Sequence, residues 1–331
     1  SATLLWRTGK NGYTAMDWYD AADPRPDYYR NLPSYYWMDN KDYGRLNFEK
    51  AAWAKDAWIN DIPEYTHLNW DRLYNVNWNN YDADGLRRSK YAVEERRVDQ
   101  NDINLNASVK WMASKIFTLT GGVNYKWNRT EYYKKMDDLL GGDYYLNIDQ
   151  FAERDFASSP TMVQNDLDHF LEHGEAKALK EGDKYGYDYY AHVRNANVWA
   201  NGALDLGGFK ANLAVEAGYA KFWREGLVRK GLFAGLDENG NEMMYEGKVL
   251  TTYDEKTGKA ITSKGNSEVS DFLTYSAKLG LQYHFEGGHR IYANGAYFND
   301  APTFAQSFIS PRTRNSLVPN LTTVKTASAD L

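Results

Sequence analysis

Histidine and acidic side chains can serve catalysis or bind metals, but their spacing in this sequence matches no catalytic or metal-binding motif. His169 and His173 lie four residues apart and could share one face of a helix, although no third ligand is nearby. No Ser-His-Asp order, pair of carboxylates or phosphate-binding loop stands out, and the chain contains no cysteine. We therefore predict that the protein is not an enzyme and needs no metal or cofactor.

One stretch, Asn80–Gly85, copies the first half of a calcium-binding loop. Such a loop requires a bidentate glutamate at its twelfth position, and that position is Tyr91 here. We interpret the stretch as a turn.

Aromatic residues offer a different chemistry, the binding of planar ligands. The segment before residue 38 is rich in tyrosine and tryptophan, and the candidate ligand contacts are Trp18, Tyr28, Tyr29, Arg30, Tyr35 and Trp37. Exposed rings present a large area to sugar faces or aromatic chelators at a low cost in conformational entropy. The alternative is that these rings pack against one another in a small core of their own segment.

The elements that must position these residues show most clearly in the segment 102–128. Apolar side chains occupy every second position from Ile103 to Trp111 and again from Phe117 to Trp127. A period of two, broken by a three-residue turn, predicts an antiparallel hairpin with one apolar and one polar face. The second strand covers about 25 Å of height at a tilt of about 40°, which is typical of the apolar band of an outer-membrane barrel. A hairpin of a soluble β-sandwich is the alternative.

The same alternation recurs and predicts an all-β protein. Strands are predicted near 98–112, 116–133, 187–204, 209–225, 272–286 and 290–300, after a short first strand at Ala2–Thr8. The alternation slips by one residue between Val193 and Ala196, which predicts a β-bulge. Helices are predicted within the connections at 47–60 and 163–171, and residues 75–85 are predicted to form a loop.

The predicted connections alternate in length. Short turns are expected near 113–115, 205–208 and 286–289, and long loops near 9–96, 134–186, 226–271 and 302–320. Alternate turns of a meander lie at the same end, so the long loops should all leave one end, as in outer-membrane barrels. We predict an antiparallel up-and-down transmembrane β-barrel segment over residues 1–331. Its outward side chains should be solvent-accessible in the absence of lipid; they include Leu105, Val109, Leu119, Val123, Leu213, Val215, Leu279 and Leu281.

Composition narrows the class of protein further. The net charge is −6 and no basic block is present, so nucleic acid is not an expected partner. The mean hydropathy of −0.72 disfavours membrane helices, but barrel strands keep a low mean because only alternate residues face lipid. The chain begins at Ser1 and ends just after a new alternation starts at Thr322, so we expect it to be a piece of a longer protein.

Several segments resemble the barrel of TonB-dependent outer-membrane receptors of the Bacteroidetes type. The resemblance runs along essentially the whole chain and is carried by DPRPDYYRNLPS (23–34), DLLGGD (138–143), NIDQFAERDF (147–156), GDKYGYDY (182–189), GHRIYANGAYFNDAPTF (288–304) and SPRTRN (310–315). It implies a 22-stranded barrel, an N-terminal plug domain and a TonB box. Only seven strands and the start of an eighth are recognisable here, and no plug is.

The resemblance implies a location in the cell outer membrane and TonB-driven uptake of a scarce nutrient. An iron chelate, a cobalamin-like molecule and a glycan all remain open as cargo. The expected partners are outer-membrane lipid, the TonB complex through the plug region, and a surface lipoprotein. The alternative is a surface-exposed binding or adhesion protein that transports nothing.

Charged residues on the predicted strands are expected to face the barrel lumen. They are Lys110, Lys126, His192, Arg194, Glu216, Lys278 and His284. One interpretation is that they solvate the wall and pair with one another or with a plug; the other is a direct role in cargo passage.

Overall fold

A computed structural model describes residues 1–37 and 46–331, which are dominated by one antiparallel sheet. Its strands follow one another in space in chain order, with a two-residue strand at Gly265–Asn266 added beside the fifth. The all-β, up-and-down prediction is confirmed. The eight long strands are β1 (Ala2–Trp18), β2 (Tyr91–Met112), β3 (Phe117–Asp138), β4 (Lys184–Asp205), β5 (Phe209–Gly226), β6 (Ser270–His284), β7 (Arg290–Asp300) and β8 (Val324–Asp330).

The connections between these strands differ in length at the two ends of the sheet. Short turns join β2 to β3, β4 to β5 and β6 to β7, and all three lie at one end because the strands alternate in direction. The opposite end, here called the loop end, carries four long connections. They are loop 1 (19–90), loop 2 (139–183), loop 3 (227–269) and loop 4 (301–323).

The two faces of the sheet differ in polarity, and cross-strand pairing shows which residues share a face. Val123 pairs with Val198 and Leu213 pairs with Leu279, and together they define the apolar face. Its side chains are exposed, at 49% for Val123 and 52% for Leu213. Of the eight residues predicted to be accessible, Leu119 is half-buried and the others are exposed. The opposite, polar face carries residues such as Asn197, whose amide donates to Glu216 at 2.8 Å.

Two features of the strands differ from the sequence-based expectation. β1 continues to Trp18 and β2 begins at Tyr91, because the strands extend beyond the apolar band into a zone where both faces are polar and alternation disappears. β4 pairs with β3 without interruption from Leu204 to Asp188, so the predicted bulge after Val193 is absent. The irregularity lies instead opposite Tyr133 and Lys134 of β3.

Short helices occupy the loops. Asn47 caps the first by accepting from the Lys50 amide at 2.9 Å, as its sequence predicted. Part of the stretch predicted as a loop at 75–85 is helical, because Asn69 caps a helix that runs to Trp78. The helices are α1 (Phe48–Ile59), α2 (Pro63–Thr66), α3 (Trp70–Trp78), α4 (Gln150–Phe156), α5 (Leu167–His173) and α6 (Phe304–Ser307).

The buried core lies at the loop end, where loops fold over the tops of the strands. One apolar cluster contains Met136, Leu139, Tyr145, Leu179 and Tyr185, all buried. Within 1–37 and 46–331, no helix has the length and apolar character needed to cross a bilayer.

Candidate ligand-binding surface at the loop end

Asn77 fastens loop 1 to loop 2. This side chain of α3 is completely buried, and its amide donates to the carbonyl oxygens of Tyr91, Leu139 and Leu140 at 2.8, 3.0 and 3.1 Å. Its carbonyl oxygen accepts from the backbone amides of Lys90 and Tyr91. Every hydrogen-bonding atom of the amide is therefore used between two loops and β2.

Loops 2, 3 and 4 are joined in the same manner by charged side chains. Asp168 of α5 binds Arg229 at 2.8 Å and Lys264 at 2.7 Å, both from loop 3. Arg224, 2% exposed at the end of β5, donates to Ser263 of loop 3 at 2.7 Å and to Pro311 of loop 4 at 2.6 Å. The four loops thus form one continuous layer, called here the loop layer.

A compact charge cluster lies beneath the loop layer on the polar face. The Lys134 ammonium is 2.8 Å from both Asp17 and Glu94, and the Tyr185 hydroxyl donates to Asp17 at 2.7 Å. Glu94 also binds Arg96 at 2.5 Å. The two carboxylates are thus offset by two cations, and the cluster ties β1, β2, β3 and β4 together.

A cavity of about 220 Å³ opens beside this cluster. Lys230 of loop 3 lines it, is buried, and donates from Nζ to Asn165 at 2.6 Å. No carboxylate among the described residues is within ion-pair distance of Lys230, and its burial lowers its pKa to about 8. Arg312 of loop 4 also lines the cavity, above the Tyr187 ring. The remaining charged groups of the lining are Arg96 and Lys134, and the carboxylates of Asp17 and Asp149. The cavity therefore suits a polar or anionic group of a ligand.

The predicted aromatic site is assembled in part. The rings of Tyr28, Tyr29 and Tyr35 form a chain of edge-to-face contacts, with centroids 4.7 and 5.6 Å apart. Arg30 lies over the Tyr29 ring and donates to its hydroxyl at 3.0 Å. Trp37 is 61% exposed, so rings and a guanidinium together face outward at the top of loop 1.

Trp18 lies apart from this chain of rings. It packs against the buried cluster of Leu73, Tyr91 and Leu140, and Arg25 stacks on its outer side. Trp18 therefore belongs to the small core that joins loop 1 to the sheet.

The charged strand residues divide between the two faces. Lys110, Lys126, Glu216, Lys278 and His284 lie on the polar face, as their cross-strand partners show. His192 and Arg194 lie on the apolar face instead, because Arg194 pairs with Trp127 in an unbroken register. Their predicted lumen-facing position is corrected accordingly.

The calcium-like stretch is a turn in the structure. The Asp82 carboxylate accepts from the backbone amides of Asp84 and Leu86, both at 2.9 Å, which fixes the turn from within. His169 and His173 stack with ring centroids 4.2 Å apart on α5. In the part of the chain that the structure describes, no three His, Asp or Glu side chains are grouped to hold a metal ion.

Comparison of the chain with protein-family models, curated proteins and solved structures gives no match.

The residues that organise this surface most strongly were not predicted from the sequence. Asn77, Arg224 and Lys230 are single polar residues whose partners lie many positions away. Of these three, only the burial of Asn77 could have been predicted from the sequence. Asn77 follows Leu73 by four residues, so both lie on the inward face of α3.

Proposed function

We propose that this chain is part of the barrel wall and ligand-binding surface of a TonB-dependent outer-membrane receptor. The receptor would take up a scarce nutrient, such as an iron chelate, a cobalamin-like molecule or a glycan. In this arrangement the loop end faces the cell exterior and the short turns face the periplasm.

The observation that carries this proposal is the apolar face. In water, a continuous band of exposed leucine, valine and aromatic side chains across neighbouring strands would be a strong site for aggregation. In a bilayer the same band is satisfied by lipid, and ten residues of strand at a tilt of about 40° would span about 25 Å, the height of the apolar band of barrel proteins. On β2 the band ends at Ile103. Toward the loop end, the next residues on the same face are polar: Asn101, Asp99, Arg97 and Glu95.

The loop layer supports a role in ligand capture. Long loops on a rigid scaffold commonly carry binding sites, because the scaffold already satisfies its own backbone. Here the outward aromatic chain of loop 1 offers contact area, and the cavity below offers Lys230 and Arg312. The two would form an outer and an inner contact for one cargo molecule.

Cargo capture is tested by replacing both Tyr29 and Trp37 with alanine in the intact receptor. We expect uptake of the limiting nutrient to fall at least tenfold while the surface level of the protein stays unchanged. Tyr253→Ala is the matched control, because this ring is 45% exposed in loop 3, away from the aromatic chain. Unchanged uptake in the double variant would show that the rings only pack among themselves.

Transport is separated from adhesion by its dependence on energy. Cells are given labelled cargo with and without a protonophore, and cell-bound and internalised label are measured separately. A TonB-driven receptor should retain binding but lose accumulation when the proton gradient collapses. If de-energised and energised cells accumulate equally little, the protein is a surface binding module and the transport proposal fails.

A further inference from the structure

Three cations stand together on the apolar face at the upper edge of the band. Arg194 of β4 pairs across the sheet with Trp127 of β3 on one side and with Lys221 of β5 on the other. Arg129 lies two residues beyond Trp127 on the same face, diagonal to Arg194. Lys221 follows Tyr219 by two residues, so all three cations lie where apolar side chains give way to polar ones.

These cations lack anionic partners within the described chain. None of Arg129, Arg194 and Lys221 forms an ion pair there, although Asp271 of β6 is the cross-strand neighbour of Lys221 on its other side. Arg194 and Lys221 are like charges directly opposite each other, and such a pair destabilises a sheet. The Arg194 guanidinium donates only to backbone oxygens, those of Asn128 and Val193 at 2.7 and 2.9 Å. Nearby carboxylates are engaged elsewhere: Glu225 with His192, Asp271 with the Tyr219 hydroxyl, and Glu131 with Lys184.

Aromatic rings hold two of the cations in place. The Arg194 guanidinium carbon is 4.6 Å from the Trp127 ring centroid and 5.3 Å from that of Trp223, and Arg129 lies 3.7 Å from the Tyr190 centroid. Beside them is a groove of about 290 Å³. Its lining includes Tyr125, Arg194, Tyr219, Lys221 and Trp223, and Arg129 lies outside it.

We propose that this groove binds the phosphorylated headgroup of a membrane lipid whose acyl chains lie along the apolar face. Guanidinium and ammonium groups are the side chains that bind phosphate most strongly, and here they directly adjoin a surface suited to hydrocarbon. A lipid anion would also relieve the repulsion between Arg194 and Lys221. The inference rests on the proposed membrane location and adds a specific lipid class to it.

The test compares the intact protein with the variant Arg129→Gln, Arg194→Gln, Lys221→Gln. Each is purified in a zwitterionic detergent and titrated with a phosphorylated glycolipid and with the same lipid after phosphatase treatment. We expect the wild type to bind the phosphorylated lipid at least tenfold more tightly than the dephosphorylated one. The triple variant should retain less than a threefold preference for the phosphorylated lipid. The double variant Arg194→Lys, Lys221→Arg keeps both charges and should show the wild-type preference.

The matched control removes three charges at the other end of the sheet, by Lys115→Gln, Lys210→Gln and Arg290→Gln near the short turns. It should keep the full preference. Equal binding of the two lipids by the wild type, or equal preference in the triple variant and the wild type, overturns the inference. So does displacement of the lipid by inorganic phosphate at equal concentration, which would indicate a free-phosphate site.

Insertion into zwitterionic phospholipid vesicles separates this inference from the proposed function. Wild type that inserts but shows no phosphate preference leaves the barrel proposal standing and removes the lipid site alone. Failure of the wild type to insert, together with equal binding of both lipids, removes both.

Discussion

At the scale of single residues, Lys230 stands out because it is a buried cation beside a cavity, and it has no carboxylate partner among residues 1–37 and 46–331. Burial disfavours its charged form, so its pKa falls from 10.5 in the unfolded chain to about 8 in the folded one. Between these pH values the unfolded chain binds more protons, and folding stability therefore increases as the pH rises from 8 to 10.5. Below pH 8 the full cost of burial is present, about 3 kcal/mol for a shift of this size.

Replacing Lys230 with methionine should remove this pH dependence. We expect the wild-type unfolding midpoint in urea to rise between pH 8 and 10.5 and that of the variant to stay flat by comparison. Lys248→Met, an exposed lysine in the same loop, is the control and should keep the wild-type slope. Equal slopes in the wild type and Lys230→Met would mean that Lys230 is solvated and does not line a closed cavity.

Residues of this kind mark the limit of what the sequence predicts about the site. The aromatic chain of loop 1 could be predicted because Tyr28, Tyr29 and Tyr35 are close in the sequence and their composition is unusual. Lys230 could not, because its neighbours Asn165 and Arg312 come from two other loops. A solitary lysine has no periodicity, and its burial is set entirely by tertiary packing.

At the scale of the strands, the apolar face gives a prediction that differs sharply between water and lipid. Leu279 is 47% exposed, so in water its replacement by arginine should cost little. At the middle of a bilayer an outward arginine costs about 2–4 kcal/mol. We therefore expect Leu279→Arg to lower folding stability in vesicles by that amount and to reduce assembly in the outer membrane.

Ser276→Arg is the control in the same strand. It lies on the polar face opposite Glu216, which can accept the new charge, so it should assemble like the wild type. Equal effects of the two substitutions would refute the assignment of the apolar face to lipid.

The strands also show why their centres are more predictable than their ends. Within the band, one face of the sheet is apolar and the other polar, which requires a strict alternation, and the predicted strand cores lie within the observed ones. Beyond Asn101 both faces of β2 are polar, with Glu94 and Glu95 adjacent in sequence but on opposite faces, so no period remains. The face of Arg194 was predicted wrongly for a related reason, because it is a charged residue on the apolar face.

At the scale of the whole molecule, the four loops are not independent of one another, because each is bonded to the next. Loop 1 meets loop 2 at Asn77, loop 2 meets loop 3 at Asp168, and loop 3 meets loop 4 at Arg224. A perturbation at one loop should therefore reach its neighbour through the bonds they share.

Asn77→Ala tests this coupling. Removal of the amide takes a donor from the carbonyl oxygens of Tyr91, Leu139 and Leu140, of which only Leu139 keeps a side-chain donor, the Ser89 hydroxyl at 2.6 Å. Each buried group left without a hydrogen bond costs about 1–3 kcal/mol. We expect faster hydrogen exchange in both α3 and the segment 139–147 of loop 2, with loop 4 unchanged. Asn79→Ala is the control, because this exposed side chain bonds only within loop 1, to Asn75 at 2.7 Å. Faster exchange confined to loop 1 in Asn77→Ala would show that the loops fold separately, and the loop layer would then be a set of independent loops.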